Sequence, residues 1–342
     1  MKNYDVVALG ELLVDFTQNG ISAQGNWLME ANAGGAPCNV LAMLAKLGHS
    51  VSFVGKVGDD MFGKMLQSKI TSLGIGIENI VFSQKYKTTL AFVHTANDGD
   101  RSFSFYRNHG ADSMLEKSEL KPELISDAKI FHFGTLSMTN EICFDATKFA
   151  LETAKKSGVL RSFDPNLRLP LWEDENQAKE KILFGLSECE ILKIAAEELE
   201  FVSGKKSIFD GVNWLRSKFN IPLITVTKGK DGSEAFYSDG KISLHETAGT
   251  FSNVKTIDTT GAGDTFCACI LHEILCNGYE SFSVERLQKM LVFANAASSL
   301  VTTKKGSLSV MPARSEIKQL IKDFSFHVHD DQPHRRPVLQ PS

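Results

Sequence analysis

No cysteine in this chain of 342 residues stands in a C-x-x-C pair, and no two histidines stand at zinc-ligand spacing. The six thiols, Cys38, Cys143, Cys189, Cys267, Cys269 and Cys276, therefore read as small hydrophobes of a reducing compartment. Lysine and arginine form no stripe and the net charge is -4, which argues against a broad nucleic-acid footprint. No apolar run approaches the length of a membrane span. The first strand-like run, YDVVALG, begins at Tyr4 and leaves no room for a signal or transit peptide. There is no internal repeat and no low-complexity linker. These absences predict a cytoplasmic protein that binds neither nucleic acid nor membrane. What is present is ordinary: 42% hydrophobic and 23% charged residues, the balance of a soluble globular chain. Its length suits one large α/β domain or two medium ones.

Short apolar runs alternate with longer helical patterns. Strands are expected at 6–10, 51–55, 129–134, 159–164, 190–193 and 223–227, and helices at 36–48, 141–157, 174–187, 210–219, 264–277 and 285–302. Strands separated by helices predict a mostly parallel central sheet flanked by helices on both faces. Two segments break the rhythm. Residues 11–33 hold no clear helix. Residues 88–107 alternate around NDGD, a strong hairpin turn. A small antiparallel sheet inserted in such a domain often covers an active site as a lid. The domain is expected over 1–325, with 326–342 as a disordered polar tail.

The stretch DTTGAGDTFCAC (258–269) reads as a loop opening a helix. Gly261 and Gly263 permit close backbone approach to a ligand, and the N–H groups from Gly261 to Asp264 sit at a helix start, where anions bind. A tight turn with Asp264 as an ordinary N-cap accounts for the same residues. Two nucleotide motifs fail. A dinucleotide fingerprint needs Gly or Ala where Phe266 stands, and KGKDGS (228–233) has Asp after the lysine where a Walker A loop needs Ser or Thr. The chemistry the stretch suggests is phosphoryl transfer to a hydroxyl. Backbone N–H groups would hold the shifting charge, and Asp264 would accept the proton. At a positive helix end that carboxylate is expected to be ionised and only weakly basic.

DTTGAGDTF, together with NAGGAPCNVLAMLAKLG (32–48) and VGKVGDDMFG (54–63), resembles the two signatures of the ribokinase-like (PfkB) family of carbohydrate kinases. TVTKGKDGS (225–233) and FANAASSL (293–300) are similar to its nucleotide-site segments. The resemblance runs from about Val6 to Ile321. GELLVDF, FYRNHGADSML and FDPNLRLPLW resemble fructokinases within the family.

The resemblance implies an ATP-dependent kinase, with fructose as the first acceptor and 2-keto-3-deoxygluconate, ribose or a nucleoside as alternatives. It implies Asp264 as base and Gly261, Ala262 and Gly263 as anion hole. Sugar contacts would come from Asp15, Gly34, Gly35, Asn39, Phe103, Phe105, Arg107 and Arg168. Lys193, Thr227, Gly229, Gly232 and Asn295 fall on the ATP side. Glu198 would help organise Mg²⁺, although Ala195 stands where the family has Asn. Asp258 and Thr260 match positions that hold a monovalent cation such as K⁺ in relatives, or merely shape the turn. The lid aromatics allow a homodimer contact. A kinase-like binding protein without catalysis would share the fold; the intact GAGD argues against it.

Overall fold

Two sheets organise the chain. The computed structural model describes residues 2–95, 101–251 and 254–330. The strands are β1 (Tyr4–Leu9), β2 (Leu13–Ile21), β3 (Trp27–Gly34), β4 (Val51–Gly58), β5 (Ile75–Ser83), β6 (Leu90–Thr95), β7 (Arg101–Tyr106), β8 (Ala128–Gly134), β9 (Leu160–Asp164), β10 (Ile191–Ala195), β11 (Leu223–Thr227), β12 (Ser233–Ser238) and β13 (Ser243–Ala248). The helices are α1 (Ala36–Lys46), α2 (Met61–Ser72), α3 (Pro122–Ser126), α4 (Glu141–Lys156), α5 (Glu175–Ser187), α6 (Ala196–Ser203), α7 (Ile208–Lys218), α8 (Ala262–Asn277), α9 (Val284–Val301) and α10 (Arg314–Asp330).

The large sheet runs β13-β12-β11-β10-β9-β8-β1-β4-β5. From β5 to β11 every pairing is parallel, and β12 and β13 extend it antiparallel. Buried side chains gather into two clusters, one on α1, α8 and α9, the other on α4, α5 and α7. The expected parallel α/β core with helices on both faces is therefore present. The strand order reverses between β1 and β8, and ligands in open α/β sheets bind outside the strand carboxyl ends at such a point.

The second sheet, β3-β2-β6-β7, is the lid. Its hairpins β2–β3 and β6–β7 are antiparallel, and a parallel pairing of β2 with β6 joins them. Polar clamps hold its root. Asp60, the N-cap of α2, accepts from Gly63 N and from both N and Oγ1 of Thr88 at 2.8–2.9 Å. Those bonds explain the aspartate of VGKVGDDMFG as architecture. Residues 96–100, the turn expected at NDGD, lie outside the described residues. At the other end α10 continues to Asp330, past the boundary expected at 325, and 331–342 lie outside the described residues.

Candidate active site

Five strand ends converge on one cleft of about 460 Å³. Glu11 follows β1, Leu136 follows β8, Asn166 and Arg168 follow β9, Glu197 and Glu198 follow β10, and Gly229 follows β11; all line it. Three helices also begin there, since Gly35 and Asn39 at the start of α1, Glu198 of α6 and Gly261, Gly263 and Asp264 at the start of α8 border the same space. Helix N-termini carry positive potential, so the cleft suits an anion.

At the start of α8 the N-cap is Gly261, left-handed at φ 77°, where a Cβ would stand 2.8 Å from Ser307 Cβ. Asp264 is thus the third helical residue and not the cap. The N–H of Ala262 turns back to Thr259 O at 3.2 Å, so this residue leaves the anion hole expected of it. Gly263 and Asp264 receive no acceptor for their N–H groups among the described residues. Asp264 is buried, and its Oδ2 accepts from Asn39 Nδ2 at 2.7 Å. Burial, then the neighbouring Asp164 carboxylate, push its pKa up to about 6, against Asn39, Lys193 and Arg168. The weakly basic carboxylate expected from the helix end alone is corrected: desolvation and a like charge outweigh the dipole.

Beneath this turn Lys193 is buried 3.0 Å from Asp164 Oδ2, and a Cβ on Gly263 would meet its Nζ at 3.1 Å. Burial works against its charge, but Asp164, Glu198 and Asp264 raise its pKa, so it stays an ammonium. The Asp164-Pro165-Asn166 turn is held open beside it. Asn166 adopts φ 46° and donates its N–H to Asp164 Oδ1 at 3.2 Å, while Pro165 O accepts from Thr135 Oγ1 at 2.6 Å. Arg168 extends from that turn into the cleft wall.

On the opposite wall, Asp15 and Phe105 stand in one cross-strand row of the lid through Ala91, hence on one face. Both border the cleft. Burial pushes the Asp15 carboxyl up to about 7, opposed by Arg168. Gly34 is there to accommodate it: a Cβ would lie 2.1 Å from Asp15 Oδ2. Gly35, at φ 127°, would put a Cβ 2.3 Å from Glu11 O. Glu11 itself was not singled out in the sequence. It is buried, its Oε1 accepts from Ala36 N at 2.7 Å, and burial raises its pKa to about 7. A carboxylate directly after the first strand and before the helix-opening glycines was the signal available for it.

Other expected residues are placed differently. Arg107 is not free for a ligand: its guanidinium is buried against Asp112 at 2.7 Å and donates to Thr139 Oγ1 and Leu136 O. Asn295 is a tie between elements, accepting from Ser233 Oγ and donating to Ala248 O and Gly249 O, each at 3.0 Å. Gly232, at φ 91°, lets β12 start against Ala248 O, 2.1 Å from where its Cβ would be. Asp258 accepts from Thr260 N at 2.7 Å and Gly306 N at 3.0 Å, which shapes the turn before α8. Thr227, Gly229 and Thr260 do border the cleft. The side chain of Phe103 lies outside the described residues. Glu198 lines the cleft with its oxygens already accepting from Leu167 N and Ala195 N at 2.7 and 2.8 Å, and burial raises its pKa.

Comparison with known proteins agrees with this geometry. "Probable fructokinase-2" of Arabidopsis thaliana is 40% identical over 93% of this chain and 95% of its own length. "Fructokinase-2" of Solanum lycopersicum is also 40% identical, over 93% and 96%. Among solved structures, fructokinase with bound ATP from Xylella fastidiosa superposes with a TM-score of 0.84 at 30% identity, covering 95% of this chain and 100% of that one. Fructokinase from Vibrio cholerae O395, in fructose, ADP and calcium ion bound form, gives 0.82 at 28% identity over 93% and 99%. Among the described residues no helix is long and apolar enough to cross a membrane. Residues 4–314 match the profile of the pfkB family carbohydrate kinases, and the chain belongs to that family.

Proposed function

We propose that this protein transfers the γ-phosphoryl group of ATP to the primary hydroxyl of D-fructose, giving fructose 6-phosphate. The observation that carries the reading is Asp264, a buried carboxylate with a pKa near 6 that lines one cleft with Gly261, Gly263 and the lid carboxylate Asp15. In its ionised form Asp264 accepts the hydroxyl proton as the oxygen attacks, and Asn39 fixes the carboxylate plane. The N–H groups of Gly261, Gly263 and Asp264 hold the phosphoryl oxygens as charge moves among them. Asp15 accepts sugar hydroxyls, Arg168 lies across from it, and Phe105 covers the ring and excludes water. Thr227 and Gly229, which also line the cleft, would contact the nucleotide.

Mg²⁺ suits this donor set, which is rich in carboxylate oxygen, and would neutralise charge on the β- and γ-phosphates. Both Glu198 oxygens already accept backbone N–H groups, so this residue orients water instead of ligating the metal directly. K⁺ at the turn shaped by Asp258 and Thr260 belongs to the same proposal; equal rates in potassium and tetramethylammonium salts remove it. So does a homodimer through the lid, whose Ile21, Trp27, Leu28 and Tyr106 are exposed.

The test is ATP consumption with Mg²⁺ against fructose, ribose, 2-keto-3-deoxygluconate and nucleosides. Fructose is expected to give the highest kcat/KM. Turnover of ketodeoxygluconate without turnover of fructose would reassign the acceptor.

A further inference from the structure

A second cluster of reactive side chains lies away from the cleft, at the amino ends of the strands. His272 and Cys276 stand one turn apart on α8 and so share a face. His49, in the turn between α1 and β4, brings its Nε2 to 2.7 Å from His272 Nδ1, across 223 positions of sequence. Cys276 Sγ lies 3.7 Å from the same His272 Nδ1. One nitrogen or sulfur from each residue falls within 4.8 Å of the others.

We propose that His49, His272 and Cys276 bind one borderline-soft divalent transition metal, for which Zn²⁺ is the best match, with the fourth position open to water. Two nitrogens and a sulfur are the donors that select Zn²⁺ over Mg²⁺ or Ca²⁺. Tetrahedral Zn²⁺ needs about 3.3 Å between two bound nitrogens and about 3.5 Å between nitrogen and sulfur. The Sγ to Nδ1 separation is already close to that, and the two imidazoles need to part by roughly 0.6 Å, a small rotation about their side-chain bonds.

The surroundings support ligation. His49 Nδ1 faces Asp5 Oδ2 at 3.4 Å, and Asp5 is itself fixed by Ser50 N at 3.0 Å and Lys129 at 2.7 Å. A carboxylate behind a histidine orients the ring and leaves the other nitrogen available to metal. His272 packs against Phe293, with ring centres 5.7 Å apart. Cys276 is the one exposed cysteine of six, which gives the metal a way in.

Chelator-treated protein titrated with Co²⁺ tests this. One equivalent should produce the intense visible bands of tetrahedral cobalt and a thiolate-to-cobalt charge-transfer band in the near ultraviolet. The charge-transfer band should vanish in Cys276→Ser, and His49→Ala and His272→Ala should weaken binding by at least about 100-fold. Zn²⁺ should also protect Cys276 from alkylation. Cobalt held by Mg²⁺-type oxygen ligands or by histidines of the C-terminal segment gives no thiolate band. Weak octahedral bands identical in wild type and Cys276→Ser, or an alkylation rate indifferent to Zn²⁺, would overturn the site. Should His272→Ala fail to fold, Cys276→Ser at its exposed position still decides the matter.

Discussion

The floor of the cleft and its lid are built on opposite terms. In the large sheet beneath the cleft β4 is buried at all eight positions, and the turns after β1, β8, β9, β10 and β11 border the cleft. In the lid β2 is buried only at Leu13 and Val14 and is exposed from Gln18 onward, and β3 is exposed at half of its positions and buried only at Gly34. The lid root is tied by hydrogen bonds that Thr88 donates to Asp60 and by the ion pair of Arg107 with Asp112, while its outer half is exposed. The floor therefore holds groups whose charge must be exact in position, and the lid holds groups that need only arrive. Burial tunes Asp264 in the floor and Asp15 at the lid root alike, and leaves the outer half of the lid untouched. A carboxylate cannot be driven to a pKa near 6 on an exposed strand.

Substitutions that act in only one of the two regions sharpen this contrast. Asp264→Asn in the floor should lower kcat by about 10³-fold, read from steady-state kinetics, with KM for the sugar little changed. It should at the same time raise Tm at neutral pH by about 2–4 °C, because the buried charge disappears. The sign follows from proton binding. The folded group titrates near 6 and its ordinary value is 3.8, so between them the native state binds the extra proton and ionisation costs stability as pH rises. The Tm gap between variant and wild type should close as pH falls through that window.

Gly35→Ala comes next. It demands a strained φ and sets a Cβ against Glu11 O, and should cost about 1–3 kcal/mol in denaturant unfolding together with activity. If it proves neutral, the rigid floor is not required. Phe105→Ala in the lid should raise KM for the sugar by about tenfold and leave Tm unchanged. A fall in Tm as large as that of Gly35→Ala would make the lid part of the core. The smallest catalytic effect is expected from Trp27→Glu at the lid's outer edge, which should shift sedimentation from dimer to monomer with kcat nearly intact. A monomeric wild type removes the lid dimer.

The same contrast decides what could be read in the sequence. The turn that opens α8 was legible because Gly261 and Gly263 stand at fixed spacing next to the acid, and the floor strands because they are continuous apolar runs. β5 and β13, at the two edges of the sheet, are half exposed and give no such run. Roles that depend on partners far along the chain were not legible either. Asn295 looked like a ligand contact, yet its amide is fully engaged with Ser233, Ala248 and Gly249. Arg107 looked free until Asp112 was placed beside it. The raised pKa of Asp264 depends on Asp164, 100 positions away, and the pairing of His49 with His272 spans still more of the chain.

Three helices begin at one cleft, and that has a consequence for tolerance of solution conditions. The positive potential there belongs largely to peptide groups, which do not titrate, and to Lys193, whose charge is reinforced by its partners. Buried charges are screened far less than exposed ones. Turnover should therefore hold an alkaline plateau from above about pH 7, where Asp264 and Asp15 are both ionised, and vary little with added salt, unlike an enzyme that gathers phosphate with lysines on its surface.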